Sequence, residues 1–286
     1  MIDFTFIVIT YNHEKYIVEN LESIKTIIVK YQGNLDVDIL ISDDASNDNT
    51  VDIVNRWIDK NRGIFRNAYV FRHETNVGTV RNMFDAVNQC KTDNFKLIAG
   101  DDKYNEIDVF SVQKSVADDE VLITPLTPFS NDMDQSVVKK TKTIREAFEI
   151  VYKNQSQIKK LERINNFIPA PGAFFGKNVL RDPELQKRVS RYRLIEDIPI
   201  WHYILFESSD YRIRINDKPE CVCYRLGSGV TSNKKRNIVS EYGLELDRIR
   251  KDYGLKAFKY PKYINPYYIE LLLIELNGKI RAFIRK

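Results

Sequence analysis

The chain has 286 residues, 43% hydrophobic and 29% charged, which is the balance of a soluble globular protein built as one large α/β domain or as a domain with an appendage. Lys plus Arg number 44 against 40 Asp plus Glu, and a net +4 is too mild to argue for a nucleic-acid partner. Cys90, Cys221 and Cys223 have neither disulfide-framework nor zinc-site spacing, which fits a reducing compartment.

In chain order, the N-terminus MIDFTFIVITYN lacks the basic n-region and cleavage site of a signal peptide. Phe4–Thr10 reads as a first buried strand. Ile17, Leu21, Ile24 and Ile28 then mark one face of a helix. Val37–Ser42 gives a second strand, Asp43–Thr50 a polar loop rich in helix caps, and Val51, Val54 and Ile58 a second helix ending near Asn61–Gly63. Ala68–Arg72 makes a third strand. The turn His73–Gly78 leads into a helix over Thr79–Cys90 that buries Val80, Met83, Phe84 and Val87. Phe95–Ala99 is the fourth strand. Four strands alternating with three helices describe a doubly wound, mostly parallel sheet.

Beyond Asp102 the pattern loosens. Val121–Thr124 reads as a strand, Ile144–Tyr152 as a helix, and Phe167–Phe175 as a Pro/Gly-punctuated turn into a short strand. Residues Thr127–Gln157 are otherwise polar and resist placement. Asp197–Phe206 reads as a helix with Ile198, Trp201 and Leu205 inward and Pro199 in its first turn, where a missing N–H costs little. Short strands at Tyr211–Ile215 and Glu220–Tyr224 follow, the second carrying Cys221 and Cys223 on one side as small hydrophobes. A polar loop, Leu226–Asn237, precedes a C-terminal helical region. No apolar run approaches the roughly 20 residues that span a bilayer.

KLIAGDDKY, Lys96–Tyr104, is the stretch around which the rest is organised. A buried strand there meets a glycine and two carboxylates, Asp101 and Asp102. Such a pair reads equally as a strand-to-helix turn or as oxygen ligands for a hard divalent cation that carries a phosphate. The sheet places this loop on one edge with Tyr11–Glu14, Asp43–Asn49 and Asn76–Asn82, the edge where open α/β sheets bind ligands. Thr10, Tyr11 and Asn12 offer a stacking ring and hydrogen bonds to a base. Asp43 or Asp44 can accept from a base N–H or a ribose hydroxyl. Gly78, Arg81 and Asn82 stand at a helix start, where free N–H groups and the dipole favour phosphate and Arg81 adds bidentate contacts. Together the four loops describe a nucleotide-diphosphate site.

On FIVITYNHEKYIVENLESI, DILISDDASNDNT, NVGTVRN and KLIAGDDKY, in that order over about the first 105 residues, the chain resembles the family 2 glycosyltransferases of bacterial polysaccharide type. The resemblance implies the GT-A nucleotide-sugar-binding fold, with a domain over 1–232, divided into a nucleotide-binding half (1–105) and an acceptor half (106–232), and a helical extension over 233–286. It implies that Thr10 and Tyr11 contact the base, Asp43 the uracil or its equivalent, and that Arg81 lies near the diphosphate. Asp101 and Asp102 correspond to the end of the family's D-x-D element, serving Mn²⁺ or Mg²⁺ and the ribose. The usual first Asp falls on Ala99, which leaves open which carboxylate takes the metal.

The family's acidic pair matches LIEDIPIWHYI, with Asp197 as general base and Glu196 its neighbour; a base of this kind contributes about 10²–10⁴-fold. The competing reading makes Asp197 an N-cap of the following helix. APGAFFGKN, with Gly172, resembles the acceptor-side turn. Tyr224 and Arg225, with Ser228 and Ser232, resemble the loop that closes over the diphosphate, where Lys234, Lys235 and Arg236 add charge. The expected partners are a nucleotide-diphosphate sugar, UDP-linked by preference, and a glycan or lipid-linked acceptor. Two alternatives stand beside this reading. A nucleotidyltransferase would want a glycine-rich basic loop where this chain has TYNHEKY, and a non-catalytic nucleotide-binding protein would not need Asp197. His13, His73 and His202 lack metal-site spacing. Near the C-terminus, Ile269, Leu272, Leu276, Ile280 and Phe283 form a stripe with Lys279, Arg281, Arg285 and Lys286. It reads as a helix packed on its own domain or as a peripheral membrane contact. The expected location is cytoplasmic, with the inner face of the cell membrane as the second reading.

Overall fold

The computed structural model describes residues 3–131, 135–163, 166, 168–228 and 236–255. The elements run β1 (Asp3–Thr10), α1 (Ile17–Tyr31), β2 (Asp36–Asp43), α2 (Thr50–Asn61), β3 (Asn67–Arg72), α3 (Thr79–Gln89) and β4 (Asn94–Ala99), the alternation expected of a wound sheet. There follow β5 (Lys103–Tyr104), α4 (Val109–Lys114), β6 (Glu120–Ile123), β7 (Leu126–Phe129), α5 (Gln135–Lys153), α6 (Ile158–Glu162) and β8 (Ala173–Phe175). The described chain ends with α7 (Pro183–Val189), α8 (Asp197–His202), β9 (Arg212–Ile215), β10 (Val222–Arg225) and α9 (Arg236–Asp252).

The central sheet has the order β3-β2-β1-β4, and all its pairs are parallel. Parallel strands covered on both faces read as continuous apolar runs, and β1 shows how the two faces are filled. Phe4, Phe6 and Val8 point to the core shared with Ile17, Leu21 and Ile24 of α1 and Val54 and Trp57 of α2. Ile7 points to the opposite core with Val80, Met83 and Phe84 of α3. That second core continues through Leu185 of α7, Ile200 and Trp201 of α8 and Ile249 of α9. Two small sheets complete the body: β5-β10-β7 and β8-β6-β9.

Register sets the ligand edge. Thr10 pairs with Asp43, Asp43 with Arg72, and Ile9 with Ala99, so the strand ends arrive level and their loops leave together.

Several expectations need correction. Strands β5 and β7 and helices α4, α6 and α7 add to the expected elements, and α5 begins at Gln135 rather than Ile144. The helix expected over Asp197–Phe206 is α-helical only to His202 and continues over Tyr203–Glu207 as a wider turn. Trp201 and Leu205 are buried as expected, together with Ile200 and Ile204, whereas Ile198 is only partly so. Cys221 and Cys223 are buried free thiols. The stripe from Ile269 to Phe283 lies outside the described residues, as do Ser232, Lys234 and Lys235. Among the described residues no helix is long and apolar enough to cross a membrane.

Candidate active site

The loop after β4 is fixed before it meets any ligand. Asn20, fully buried on the apolar face of α1, donates from Nδ2 to the carbonyls of Ala99 (3.1 Å) and Asp102 (2.9 Å). Arg225, the last residue of β10, is buried and holds the same loop from the other side. Its backbone N–H donates to Asp102 Oδ1 at 2.8 Å and its Nε to the Asp101 carbonyl at 2.7 Å. The remaining guanidinium donors reach Asn131 and Glu19, and the plane lies between the rings of Tyr16 and Phe129, at 4.6 and 4.4 Å. Arg225, expected in a loop over the diphosphate, is therefore placed as an internal clamp on the carboxylate pair.

Asp101 accepts from Ser228 Oγ at 2.7 Å, and its other oxygen lies 3.9 Å from His13 Nε2. Burial, then the charge of Asp101, push the Asp102 carboxyl well above the usual range. A repelling pair of hard oxygen donors is a setting that a divalent cation relieves. Among the described residues no cluster of three or more His, Cys, Asp or Glu could enclose a metal alone. Two adjacent carboxylates are the donor set that an ion such as Mg²⁺ typically takes, its shell completed by substrate phosphate and water. Beneath the pair, Lys96 is buried, donates to the carbonyls of Leu97 and Pro171 (2.7 and 3.1 Å), and is lowered by burial to about 8.

The first and second loops are laced together. Thr10 Oγ1 meets His13 Nδ1 at 3.2 Å. Asn12, at φ 55°, accepts from Asn47 N, and its own N–H donates to Ser46 Oγ at 2.8 Å. Tyr11 is partly exposed at the edge. Asp43 is fully buried; it accepts from Ser46 N and Oγ and lies 3.5 Å from Arg72 Nε. Asp44 spends both oxygens on the N–H groups of Val77 (2.6 Å) and Gly78 (2.9 Å), tying the second loop to the third. Arg81, on the first turn of α3, is exposed and 3.4 Å from Asp85. Asn82 faces inward instead, accepting from Ser42 Oγ at 2.6 Å and donating to the Ser42 carbonyl.

The second acidic pair opens α8. Glu196 occupies the N-cap position and Asp197 the first helical one, so Asp197 is not the cap that turn chemistry alone offered. Its Oδ1 accepts from Ile198 N at 2.8 Å and its Oδ2 from Asn166 Nδ2. Burial, then the Asp197 charge, raise the Glu196 carboxyl above the usual range. Asp197 is raised too, by burial, against the opposing bonds from Asn166 and Ile198. Tyr224 of β10 relates the two pairs: burial, then the charges of Asp102, Asp101 and Asp197, raise its hydroxyl. One partly buried ring thus stands within the influence of Asp101, Asp102 and Asp197. Gly172 closes the turn before β8, where a Cβ would stand 2.2 Å from the Thr124 carbonyl oxygen.

Asn20, Asn166, Arg193 and Glu245 carry much of this geometry and were not singled out by sequence. Asn20 left a trace, a polar residue on the stripe Ile17–Leu21–Ile24.

Comparison with known proteins places this geometry. The family model for Glycosyl transferase family 2 matches residues 5–182. The abequosyltransferase RfbV of Salmonella typhimurium (strain LT2) is 33% identical over 103 residues, 34% of this chain and 28% of that protein. The match therefore spans less than a third of that curated relative. A fragment of S. aureus TarS in complex with UDP superposes with a TM-score of 0.54 at 18% identity, covering 95% of this chain and 79% of that one. The mannosyltransferase PcManGT from Pyrobaculum calidifontis, in complex with GDP-Man and Mn²⁺, gives 0.54 at 15% identity, covering 95% and 68%. At these identities the likeness is one of fold, the GT-A arrangement of a parallel sheet with its ligand edge.

Proposed function

The chain belongs to glycosyl transferase family 2, and on that premise we propose that it moves a sugar, with inversion, from a nucleotide-diphosphate donor to a glycan or lipid-linked acceptor in surface-polysaccharide synthesis. A UDP-sugar is the preferred donor. The observation that carries the reading is the carboxylate pair Asp101–Asp102, locked at the sheet edge by Asn20 and by Arg225, whose neighbour on β10 is the partly buried Tyr224. A donor diphosphate at this pair and an acceptor hydroxyl at Glu196–Asp197 would then meet over that ring.

In this reading Thr10, Tyr11, Asn12 and Asp43 receive the base and ribose, while Asp44 holds Gly78 and the α3 N-terminus toward the diphosphate. Asp101 would hold Mn²⁺ or Mg²⁺, with Asp102 behind it. When bound, the cation supplies positive charge against the departing diphosphate. Asp197 accepts the proton of the acceptor hydroxyl as that oxygen attacks the sugar carbon and the sugar–phosphate bond breaks. Asn166 orients Oδ2 for the task.

Thermal unfolding with UDP alone and with UDP plus Mn²⁺ tests the donor half. A midpoint that rises with UDP and rises further with Mn²⁺ is expected; indifference to every nucleoside diphosphate overturns it. Asp197→Asn should keep the UDP response and lose transfer by about 10²–10⁴-fold. Retained turnover moves the base elsewhere.

A further inference from the structure

Helix α9 lies beyond the segment matched by the family model, yet it reaches the acidic pair of α8. One carboxylate, Glu245, accepts from three consecutive backbone N–H groups. Arg193 N lies 2.8 Å from Oε2, and Leu194 N and Ile195 N each lie 2.7 Å from Oε1. Successive N–H groups converging on one anion form a concave backbone nest, here filled by the protein's own side chain. Glu241, one turn earlier, accepts from Arg193 Nη1 at 2.7 Å. The same guanidinium reaches Asn76 Oδ1, and the Arg193 carbonyl accepts from Val80 N at 3.1 Å. Segment 193–195 is therefore gripped from two sides immediately before Glu196. Ile195 is buried in the core, immediately before the acidic pair.

We propose that Glu245 is a positioning residue: by holding the three N–H groups before Glu196 it sets the orientation of Asp197 toward the acceptor hydroxyl, without touching substrate itself. The inference rests on Asp197 being the base. Held by main-chain bonds, the turn keeps its geometry whatever side chain follows. With those bonds gone, the carboxylate at position 197 samples orientations that no longer meet the hydroxyl, and 1 Å of misplacement in such a step can cost 10²-fold.

The test uses the full chain, with nucleoside diphosphate release measured over a panel of nucleotide sugars. Glu245→Gln is nearly isosteric, but its amide cannot accept from Arg193 N. The expected result is a kcat at least ten-fold lower with the donor KM within two-fold. Glu245→Asp, which keeps a carboxylate acceptor, should recover part of the lost kcat. Asp247→Asn, exposed on the same helix, should change nothing. Independently of turnover, hydrogen exchange at residues 193–195 should speed up in Glu245→Gln. Unchanged exchange, or unchanged kcat beside an inactive Asp197→Asn, overturns the proposal. An active Asp197→Asn instead overturns the assignment of the base.

Discussion

At the scale of single residues, the Glu196–Asp197 pair sets stability against function. Burial and mutual repulsion raise the Glu196 carboxyl above its ordinary value, so the folded state favours the protonated form. Above the unfolded-state pKa of about 4.5 the unfolded chain ionises freely while the fold resists, and stability falls as pH rises through the folded-state value. Glu196→Gln imitates the protonated form. It should raise stability at pH 7–8 by at least about 1 kcal/mol, because each tenfold difference in proton affinity between the folded and unfolded states is worth about 1.4 kcal/mol. At pH 4, where both states are protonated, it should give no gain. Paired melts at the two pH values check this, and an equal gain at both would mean that the effect is not electrostatic. The same charge governs chemistry: a base with a raised pKa is ionised only at higher pH, so transfer should decline already in mildly acidic buffer. Glu196→Gln should leave that decline in place, because Glu196 is already protonated in acidic buffer.

At the scale of elements, the start of α3 packs on the segment before α8, and the closest approach is at Gly78. Its φ of 91° lies in the left-handed region, and a Cβ there would come within 2.4 Å of Arg193 Cγ and 2.6 Å of the Arg193 carbonyl oxygen. Gly78→Ala should therefore destabilise by about 1–3 kcal/mol for the backbone conformation and in addition push Arg193 from Val80 N. Denaturant unfolding measures the first effect. A fall in kcat larger than the fall in folded protein reports the second; loss of stability with full kcat in the folded fraction would dissociate the two. The glycine itself was legible in NVGTVRN as a helix start, but its partner Arg193 was not, since it lies far away in sequence, beyond β8 and α7. The same division runs through the fold. Strands β1 to β4 could be read because each is a continuous apolar run, the signature of burial on both faces. The two-residue β5 and four-residue β7 are defined by pairing with β10, a contact that leaves no periodicity in either segment. Arg225 reads in the sequence as a surface cation for a phosphate, and only its aromatic sandwich and three acceptors reveal a buried clamp. Asp197 could be identified as an acid before a helix, whereas the Asn166 bond that aims it comes from a segment with no pattern of its own.

At the scale of the whole molecule, two apolar cores lie on either side of one sheet, and the chemistry straddles them. The core beneath α1 and α2 supports the loops after β1 and β2 through Phe4, Phe6 and Val8. The other gathers α3, α7, α8 and α9 and supports the acidic pair. Because α9 buries Ile249 completely in that second core and also supplies Glu245 to the segment before α8, it should melt with the α/β body. Ile249→Ala removes buried methyl groups that only partial relaxation can replace, at a cost of about 2–5 kcal/mol. If α9 folds with the body, calorimetry should show one transition moved as a whole to lower temperature, with the UDP response reduced only in proportion to the folded fraction. A separate early transition, with the main one unmoved, would make α9 an independent unit. The sharper consequence concerns catalysis below the midpoint: a loosened α9 should release the Glu245 bonds before the sheet unfolds. Transfer should then fall several degrees below the temperature at which UDP binding is lost, a gap that widens in Ile249→Ala and closes if α9 has no part in holding the acidic pair.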